Sequence, residues 1–348
     1  MANKTIFDIV TATDIGAYWE ATSQEREPYV GEVLFPNKKK LGLDLEWING
    51  NSGIPVVLNL SAFDANVIPR AREGFTLTQA KMPFFKESLY IDEEIRQQLN
   101  MAMENGSSAY VDVLTQRIFD DNIKLLEAAR VQRERMRMTM LTTGAISIAS
   151  NGQAVSFDYG VPTGHKATAT TSWKTTTTDI IADIKSWQDK IEDDTGVRPT
   201  RAICNSSVWN AMLANTGIRN SLFVYSNGVA TISDNALKAF LMEQLGLSVY
   251  VNNKRYKNEA GTATKFVADD TFVLFPEGTL GNTWFGTTPE ESDLMSGQSN
   301  ATVSLTDTGV AVTTMKHSDP VNVETKVSMI TLPSFEASGQ IFIADVTP

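Results

Sequence analysis

Apolar residues recur along this chain with two periods, and the longest element carries the helical one. Between Ser107 and about Thr142 there is no proline, and no glycine occurs until Gly144. Tyr110, Leu114, Ile118, Leu125, Ala128 and Met136 fall at helical spacing, with Asp121 and Gln132 interrupting. Most of the remaining residues are good helix formers, and Ser107 and Ser108 stand at the start as N-cap candidates. At about 1.5 Å per residue, ~36 residues make a rod of roughly 54 Å, against about 11–12 residues for a typical globular helix. One face is partly apolar and the other wet, which suits a rod lying across a sheet. Sustained heptads are missing, so the pattern argues against a coiled coil.

Upstream, residues 1–35 mix helical hints (Asp14 to Thr22) with extended pieces. They hold little core of their own and are predicted to lie along something else. At Val33-Leu34-Phe35-Pro36 the character changes. Leu41, Leu43 and Leu45 then alternate with Gly42, Asp44 and Glu46, a strand period. Asn49-Gly50-Asn51-Ser52-Gly53 is a turn cluster, and Ile54 to Leu60 is extended. Residues 61–74, with Asp64, Pro69, Arg70, Arg72 and Glu73, suit an exposed loop. Gly74 to Tyr90 returns as a strand made irregular by Pro83. The whole of 37–90 reads as a projecting hairpin, which cannot bury both faces alone and should rest on another molecule. Asp92-Glu93-Glu94 opens a short helix with Ile95, Leu99 and Met103 on one stripe, ended by Asn105-Gly106.

Downstream, Ala145–Ser150 and Gln153–Tyr159 flank Asn151-Gly152, a strong hairpin signal. Thr163 to Thr178 reads as a linker. Residues 179–287 read as an α/β domain. Its first helix, 179–194, carries Ile180, Ile184, Trp187 and Ile191 and is closed by Gly196. Arg201–Cys204 is a strand. Asn205 and Ser233 cap two further helices, and Gly246 stops the second. Leu247–Val251, Lys265–Ala268 and Phe272–Phe275 are strands, with a polar turn at Asn252–Thr262 and a loop at Gly278–Gly286. The tail, 301–348, is mostly strand. It needs a helix to cover it, and the long helix is the best candidate. On that reading the C-terminus returns beside 107–159, and 179–287 is an insertion.

Composition narrows the function. A chain of 348 residues, 42% hydrophobic and 20% charged, has the balance of a folded soluble protein with room for two or three domains. A net charge of −11 argues against a general basic surface for nucleic acid. Cys204 is the lone cysteine, and His165 and His317 are the only histidines, which leaves little for disulfides, zinc or His-based catalysis. The N-terminal residues lack a basic region followed by an apolar run, and no apolar run spans a membrane.

The residues offer no defensible active site. Arg130, Arg133, Arg135 and Arg137, with Glu134, form a basic end on the long helix. A solvated helix end, a contact with an acidic neighbour and a phosphate site are the three readings, in that order of weight. The acidic clusters at Asp92-Glu93-Glu94, Glu192-Asp193-Asp194, Asp269-Asp270 and Glu290-Glu291-Ser292-Asp293 could donate to a cation, but none has the spacing of an EF-hand loop, and they read first as helix caps and turn edges. His317-Ser318-Asp319 is contiguous, whereas a triad converges from separate elements. His165 reads as an exposed polar residue and Cys204 as a buried small hydrophobe. Nucleotide-binding, hydrolase and metalloprotease motifs are absent. No catalytic residue, metal ligand or cofactor is predicted.

The order of these elements, with several local stretches, resembles the tailed-bacteriophage major capsid protein with the HK97-type fold. More narrowly it resembles the lambda-like capsid protein E family. The stretches are Val30-Gly-Glu-Val-Leu-Phe-Pro36, Val67-Ile-Pro-Arg-Ala-Arg-Glu-Gly74, Met82-Pro-Phe-Phe-Lys-Glu-Ser88 and the Arg-rich helix end leading to Leu141-Thr-Thr-Gly144. Val155-Ser-Phe-Asp-Tyr-Gly160, Gly281-Asn-Thr-Trp-Phe-Gly-Thr-Thr-Pro289, Thr308-Gly-Val-Ala-Val312 and Asp319-Pro320 continue the match. It is thinnest at 1–25 and 215–232.

The resemblance implies an α+β fold: a long spine helix over a sheet, a projecting E-loop hairpin and an inserted axial α/β domain. It implies an N-terminal arm at 1–36, the E-loop at 37–91, a peripheral domain at 92–164 and 301–348, and the axial domain at 165–300. It further implies self-assembly as hexamers and pentamers into an icosahedral shell around phage double-stranded DNA, without sequence-specific binding. A scaffolding protein, a portal and in some relatives a decoration protein are the implied partners. The virion is the implied location, with the host cytoplasm during assembly. An encapsulin-type, non-viral shell protein is the alternative. The residues we set as subunit-interface candidates are Arg70, Arg72, Glu73, Arg130, Arg133, Arg135 and Arg137.

Overall fold

The structure, a computed structural model, describes residues 11–23, 26–49, 76–91, 93–104, 108–223, 231–296, 302–317 and 322–347. The chain divides into two compact units. The first holds Met1–Leu45, Gln79–Met136 and Asn282–Ser334; the second holds Glu46–Thr78, Arg137–Gly281 and Phe335–Pro348. The strands in chain order are β1 Asn37–Lys39, β2 Asp44–Asn49, β3 Thr76–Lys81, β4 Phe84–Ile91, β5 Ala145–Ser150, β6 Gln153–Asp158, β7 Lys166–Thr168, β8 Arg201–Cys204 and β9 Ser248–Val251. They continue with β10 Arg255–Lys257, β11 Ala263–Lys265, β12 Thr271–Phe275, β13 Gly281–Phe285, β14 Thr302–Thr306, β15 Val310–Lys316, β16 Val323–Phe335 and β17 Phe342–Asp345.

The long helix runs Ser108–Thr143, 36 residues without a break. Gly144 ends it in the left-handed region (φ +77°), its N–H bonded to the Met140 carbonyl at 2.9 Å. In the first unit, Leu114, Ile118, Leu125, Leu126 and Ala129 share one apolar cluster with Val310, Val312, Val323, Val327 and Met329 of the sheet beneath. The rod across a sheet is therefore present. The stripe differs from the predicted one, since Tyr110 and Ala128 are exposed and Ala129 is buried. The buried row is Leu114, Ile118, Asn122, Leu125, Ala129, Arg133 and Met136, at intervals of three or four. Two of its members are polar, so hydrophobicity alone slipped by one residue.

That sheet has the order β1-β13-β16-β15-β14, with β4 also on β16. Strand β15 lies antiparallel on β16 from Val310↔Met329 to Lys316↔Val323, and β4 pairs antiparallel with β16 from Ile91↔Val323 to Phe84↔Ile330. The arm helix Ala12–Ser23 adds Ala12, Ile15 and Trp19 to the same cluster, so the arm does lie along a larger body. The segment predicted as a loop, Gly278–Gly286, contains β13. Its small polar residues suggest a loop, but Asn282 and Thr283 are buried and the Ser334 hydroxyl accepts the Asn282 N–H at 3.2 Å.

In the second unit, β5 and β6 form the predicted hairpin, with Asn151 (φ 50°) and Gly152 (φ 72°) as the turn. Trp47 of β2 packs on it, 5.3 Å from the Phe157 ring and 5.7 Å from Tyr159. The base of the predicted projecting hairpin is thus anchored on its own chain; residues 50–75 lie outside the described residues. A five-stranded sheet follows, ordered β7-β17-β12-β8-β9. Helix Ile180–Thr195 is capped by Asp179, which accepts the Ala182 N–H at 3.0 Å. Its Trp187 stacks on Trp173 and Phe342 at 5.6 and 5.4 Å between centroids. Asn205 and Ser233 cap the helices Ser206–Ala214 and Asp234–Leu245 as expected. Cys204 is fully buried, and burial pushes its thiol up to about 12.

Three expectations change here. The tail splits: β14 to β16 build the first unit's sheet, but β17 inserts between β7 and β12 of the second. The supposed linker 163–178 holds β7 and the fully buried Trp173, whose indole N–H donates to Asp183 at 2.9 Å. The strand expected at Lys265–Ala268 ends at Lys265. It pairs with β10, which lies inside the expected polar turn.

Candidate functional site

The Arg-rich end of the long helix is not solvated. Arg130, Arg133 and Arg137 are 9%, 2% and 0% exposed, and Glu134 is 0% exposed. In the first unit, helical spacing turns Glu127, Arg130 and Glu134 toward residues 26–34 of the arm. Arg130 donates through Nε and Nη2 to the Glu32 carboxylate at 2.8 and 3.0 Å, and its guanidinium sits 4.6 Å over the Tyr29 ring. The Gly31 N–H donates to Glu134 at 3.0 Å. Arg26 donates to Glu127 at 2.9 Å and lies 4.1 Å over Trp19.

Arg133 reaches the turn between β14 and β15. Its Nη2 donates to Asp307 Oδ2 at 2.8 Å, while the Trp19 indole N–H donates to Asp307 Oδ1 at 3.1 Å. Burial alone would raise the Asp307 carboxyl. The charge and hydrogen bond of Arg133, helped by Trp19 and Arg130, outweigh it and hold the group below the usual carboxylate range. The turn is strained: Asp307 has φ 47° and Thr308 φ 73°, a region that disfavours β-branched side chains. These residues line a cleft of about 360 Å³ formed by Trp19, Arg26, Glu32, Arg130, Arg133 and Asp307 among others.

Chemically, this cluster fastens three chain segments together. Arg26, Arg130 and Arg133 each face a carboxylate of the same chain, which argues against the phosphate reading at Arg130 and Arg133. Sequence reasoning missed Glu32, Asp307 and Trp19, because Glu32 lies 98 residues from Arg130 and Asp307 lies 174 residues from Arg133. No local pattern links such partners.

The other predicted residues fall elsewhere. Arg135 is partly buried, and Arg137 belongs to the second unit. Arg70, Arg72 and Glu73 lie outside the described residues. His165, expected to be exposed, is 2% exposed, and its Nε2 lies 3.0 Å from Asp194. The end of helix Ile180–Thr195 covers it, which a reading of residues 163–178 as linker could not anticipate. His317 pairs with Glu324 at 2.8 Å, while Ser318 and Asp319 lie outside the described residues. Among the described residues no group of His, Cys, Asp or Glu is placed to hold a metal ion, and no helix is long and apolar enough to cross a membrane.

The family model described as phage major capsid protein E matches residues 11–346. The chain belongs to that family. It is a phage capsid protein, a shell-building component of the virion. Among solved structures, the putative capsid protein of a prophage of E. coli CFT073 superposes with a TM-score of 0.63 at 16% identity, over 97% of this chain and 99% of that one. A phage-related protein from Bordetella bronchiseptica RB50 gives 0.56 at 11% identity, over 97% of each chain. A chain of the cyanophage A-1(L) capsid gives 0.51 at 9% identity, covering 100% of this chain and 95% of that one. At such identities these likenesses bear on the fold, which is α+β of HK97 type. No individually curated protein matches the chain.

Proposed function

We propose that this capsid protein assembles as hexamers and pentamers into an icosahedral shell enclosing phage double-stranded DNA. The observation that carries the reading is the family match over residues 11–346. The net charge of −11 supports a wall that encloses DNA without gripping it, by screened repulsion. Assembly begins with a scaffolding protein and a portal, and a decoration protein joins in some such shells. The role is structural, and the subunits assemble in the host cytoplasm. A phage family match favours this reading over an encapsulin-type shell.

Within it, residues 1–36 serve as the arm, 37–91 as the E-loop, 92–164 with most of 301–348 as the peripheral domain, and 165–300 as the axial domain. The pairing of β17 with β12 supports assigning the last strand to the axial sheet. The exposed Phe84, Leu89 and Tyr90 on β4 support a neighbour covering the E-loop base. Arg70, Arg72, Glu73 and Arg135 are the candidates left for contacts between subunits, since Arg130 and Arg133 face carboxylates of their own chain and Arg137 is buried.

Electron microscopy of the purified protein, alone and with its scaffolding protein, tests this. Closed shells or rings of subunits are expected; a monomer under every condition overturns it. A second test replaces residues 50–75 by a short Gly-Ser link, which keeps Trp47 on its hairpin. The subunit is expected to fold and to lose closed shells, and normal shells from this variant would remove the E-loop assignment.

A further inference from the structure

The hairpin β10–β11 carries like charges where a two-stranded ribbon tolerates them least. Arg255 pairs directly with Lys265 across the ladder, and Lys257 lies two residues on from Arg255, on the same face. The opposite face is held by Tyr256, whose ring is 4.9 Å from Phe266. Like charges directly opposite destabilise a ribbon, and an isolated two-stranded ribbon is marginal to begin with. Asp269 offsets part of this through its ion pair with Lys265, with Arg255 acting on it as well. Arg255 and Lys257 stay exposed. In a chain of net charge −11 this is a local basic face.

The sheet topology sets a complementary patch at the other edge of the same unit. Strands β8 and β9 are parallel, with Arg201↔Ser248 at one edge and Cys204↔Val251 at the other. The basic hairpin follows β9 and so lies at the Cys204–Val251 edge. Helix Ile180–Thr195 ends just before β8, helix Asp234–Leu245 ends just before β9, and β12 terminates opposite Arg201. Their ends therefore gather at the Arg201–Ser248 edge. Gln188 ties the two helix ends together, donating to the carbonyls of Pro199 at 2.8 Å and Leu245 at 3.2 Å. That edge exposes Asp193, Glu243 and Glu277, while Asp194 there pairs with Lys190 and Arg198 pairs with Asp189 and Glu192, which leaves the carboxylates in excess.

We infer that the Arg255–Lys257–Lys265 face of one subunit docks on the acidic Asp193–Glu243 edge of a second copy of this chain. Opposite charge on opposite edges of one body is the arrangement of a head-to-tail contact, in which identical subunits close a ring. The occupant is a second copy because three cations, one already shared with Asp269, are few for a DNA backbone, while an edge with carboxylates in excess lies on every subunit. The inference deepens the shell reading and rests on it.

The test uses two charge-reversed full-length chains, Arg255→Glu with Lys257→Glu, and Asp193→Lys with Glu243→Lys. Each is expected to keep the wild-type circular dichroism and melting temperature. Each should form roughly tenfold fewer rings or shells at low salt, since like-charge contact is repulsive. The chain carrying all four changes should recover, and mixing the two reversed chains should restore rings of even number. Unchanged assembly by either reversed chain, or no recovery in the fourfold variant, overturns the inference while leaving the shell reading in place. Absence of any assembly by the wild type removes both. A short DNA duplex that binds the wild type, and not the Arg255→Glu, Lys257→Glu chain, identifies phosphate as the occupant and also overturns it.

Discussion

In the second unit, Trp187 on the buried face of helix Ile180–Thr195 stacks on Trp173 and Phe342 at 5.6 and 5.4 Å. Under the C-terminal third of the long helix in the first unit, the corresponding place is taken by Arg133, 2% exposed, and its partner Asp307. Both positions close a helix against a sheet. The first uses area, which is non-directional and tolerates small shifts. The second uses a charge pair flanked by the Trp19 indole and by the Phe285 ring, 5.5 Å from the Arg133 guanidinium, which demands one geometry and is costly when half of it is lost. Such a pair fixes which residues meet, here the arm, the helix and a strained turn, more sharply than apolar contact would.

The largest expected effects are at the two centres themselves. Trp187→Ala should cost about 3–5 kcal/mol in a urea melt of the subunit, through a cavity in the aromatic stack. Arg133→Ala should cost about 3–5 kcal/mol as well, because it strands a mostly buried carboxylate. Replacing both partners, as Arg133→Met with Asp307→Asn, should regain most of that loss. If the double variant is no better than Arg133→Ala, the charge pair is not what Arg133 contributes.

A middle-sized effect follows from pH. The folded Asp307 carboxyl titrates below its ordinary value, because Arg133, Trp19 and Arg130 together outweigh burial. Its contribution is complete above the unfolded pKa of about 3.9 and is lost as pH falls through the lower folded value. Urea midpoints measured from pH 6 down to pH 3 should therefore fall more steeply in the wild type than in Asp307→Asn. Equal slopes would show that other carboxylates, such as Glu290 and Glu324, whose values are also lowered, dominate the acid limb.

The smallest effect sharpens the role of the turn. Thr308→Gly should stabilise the subunit by about 1 kcal/mol, since glycine accepts φ 73° without a Cβ clash. A lower melting temperature would mean that Thr308 makes contacts worth more than the strain.

The same comparison explains what the sequence made legible. The aromatic unit announced itself: Ile180, Ile184, Trp187 and Ile191 recur at helical spacing, and Asn205, Ser233, Gly196 and Gly246 mark helix ends that the structure contains. Its sheet was only half legible, because β17 joins it from far along the chain and β7 hides among threonines. The long helix was legible in length and position, but its buried face was not, since Asn122 and Arg133 occupy core positions. The arginine cluster shows in the sequence as a run of charge, for which a wet helix end is only the first of three readings. Burial of a charge depends on a partner, and its partners come from residues 26–34 and 307, which no periodicity connects to it. The family resemblance covered that gap for the fold and left the contacts themselves unread.

Cys204 closes β8, where it is fully buried with its thiol pushed up to about 12. Only the thiolate attacks labelling reagents, so the folded subunit should be nearly inert to them near neutral pH. Because it is the single thiol in the chain, each labelling event marks one opening, local or global, that exposes this strand. The protein therefore carries its own clock for local opening, readable subunit by subunit by mass spectrometry, in free protein and in finished shells, without any engineered probe.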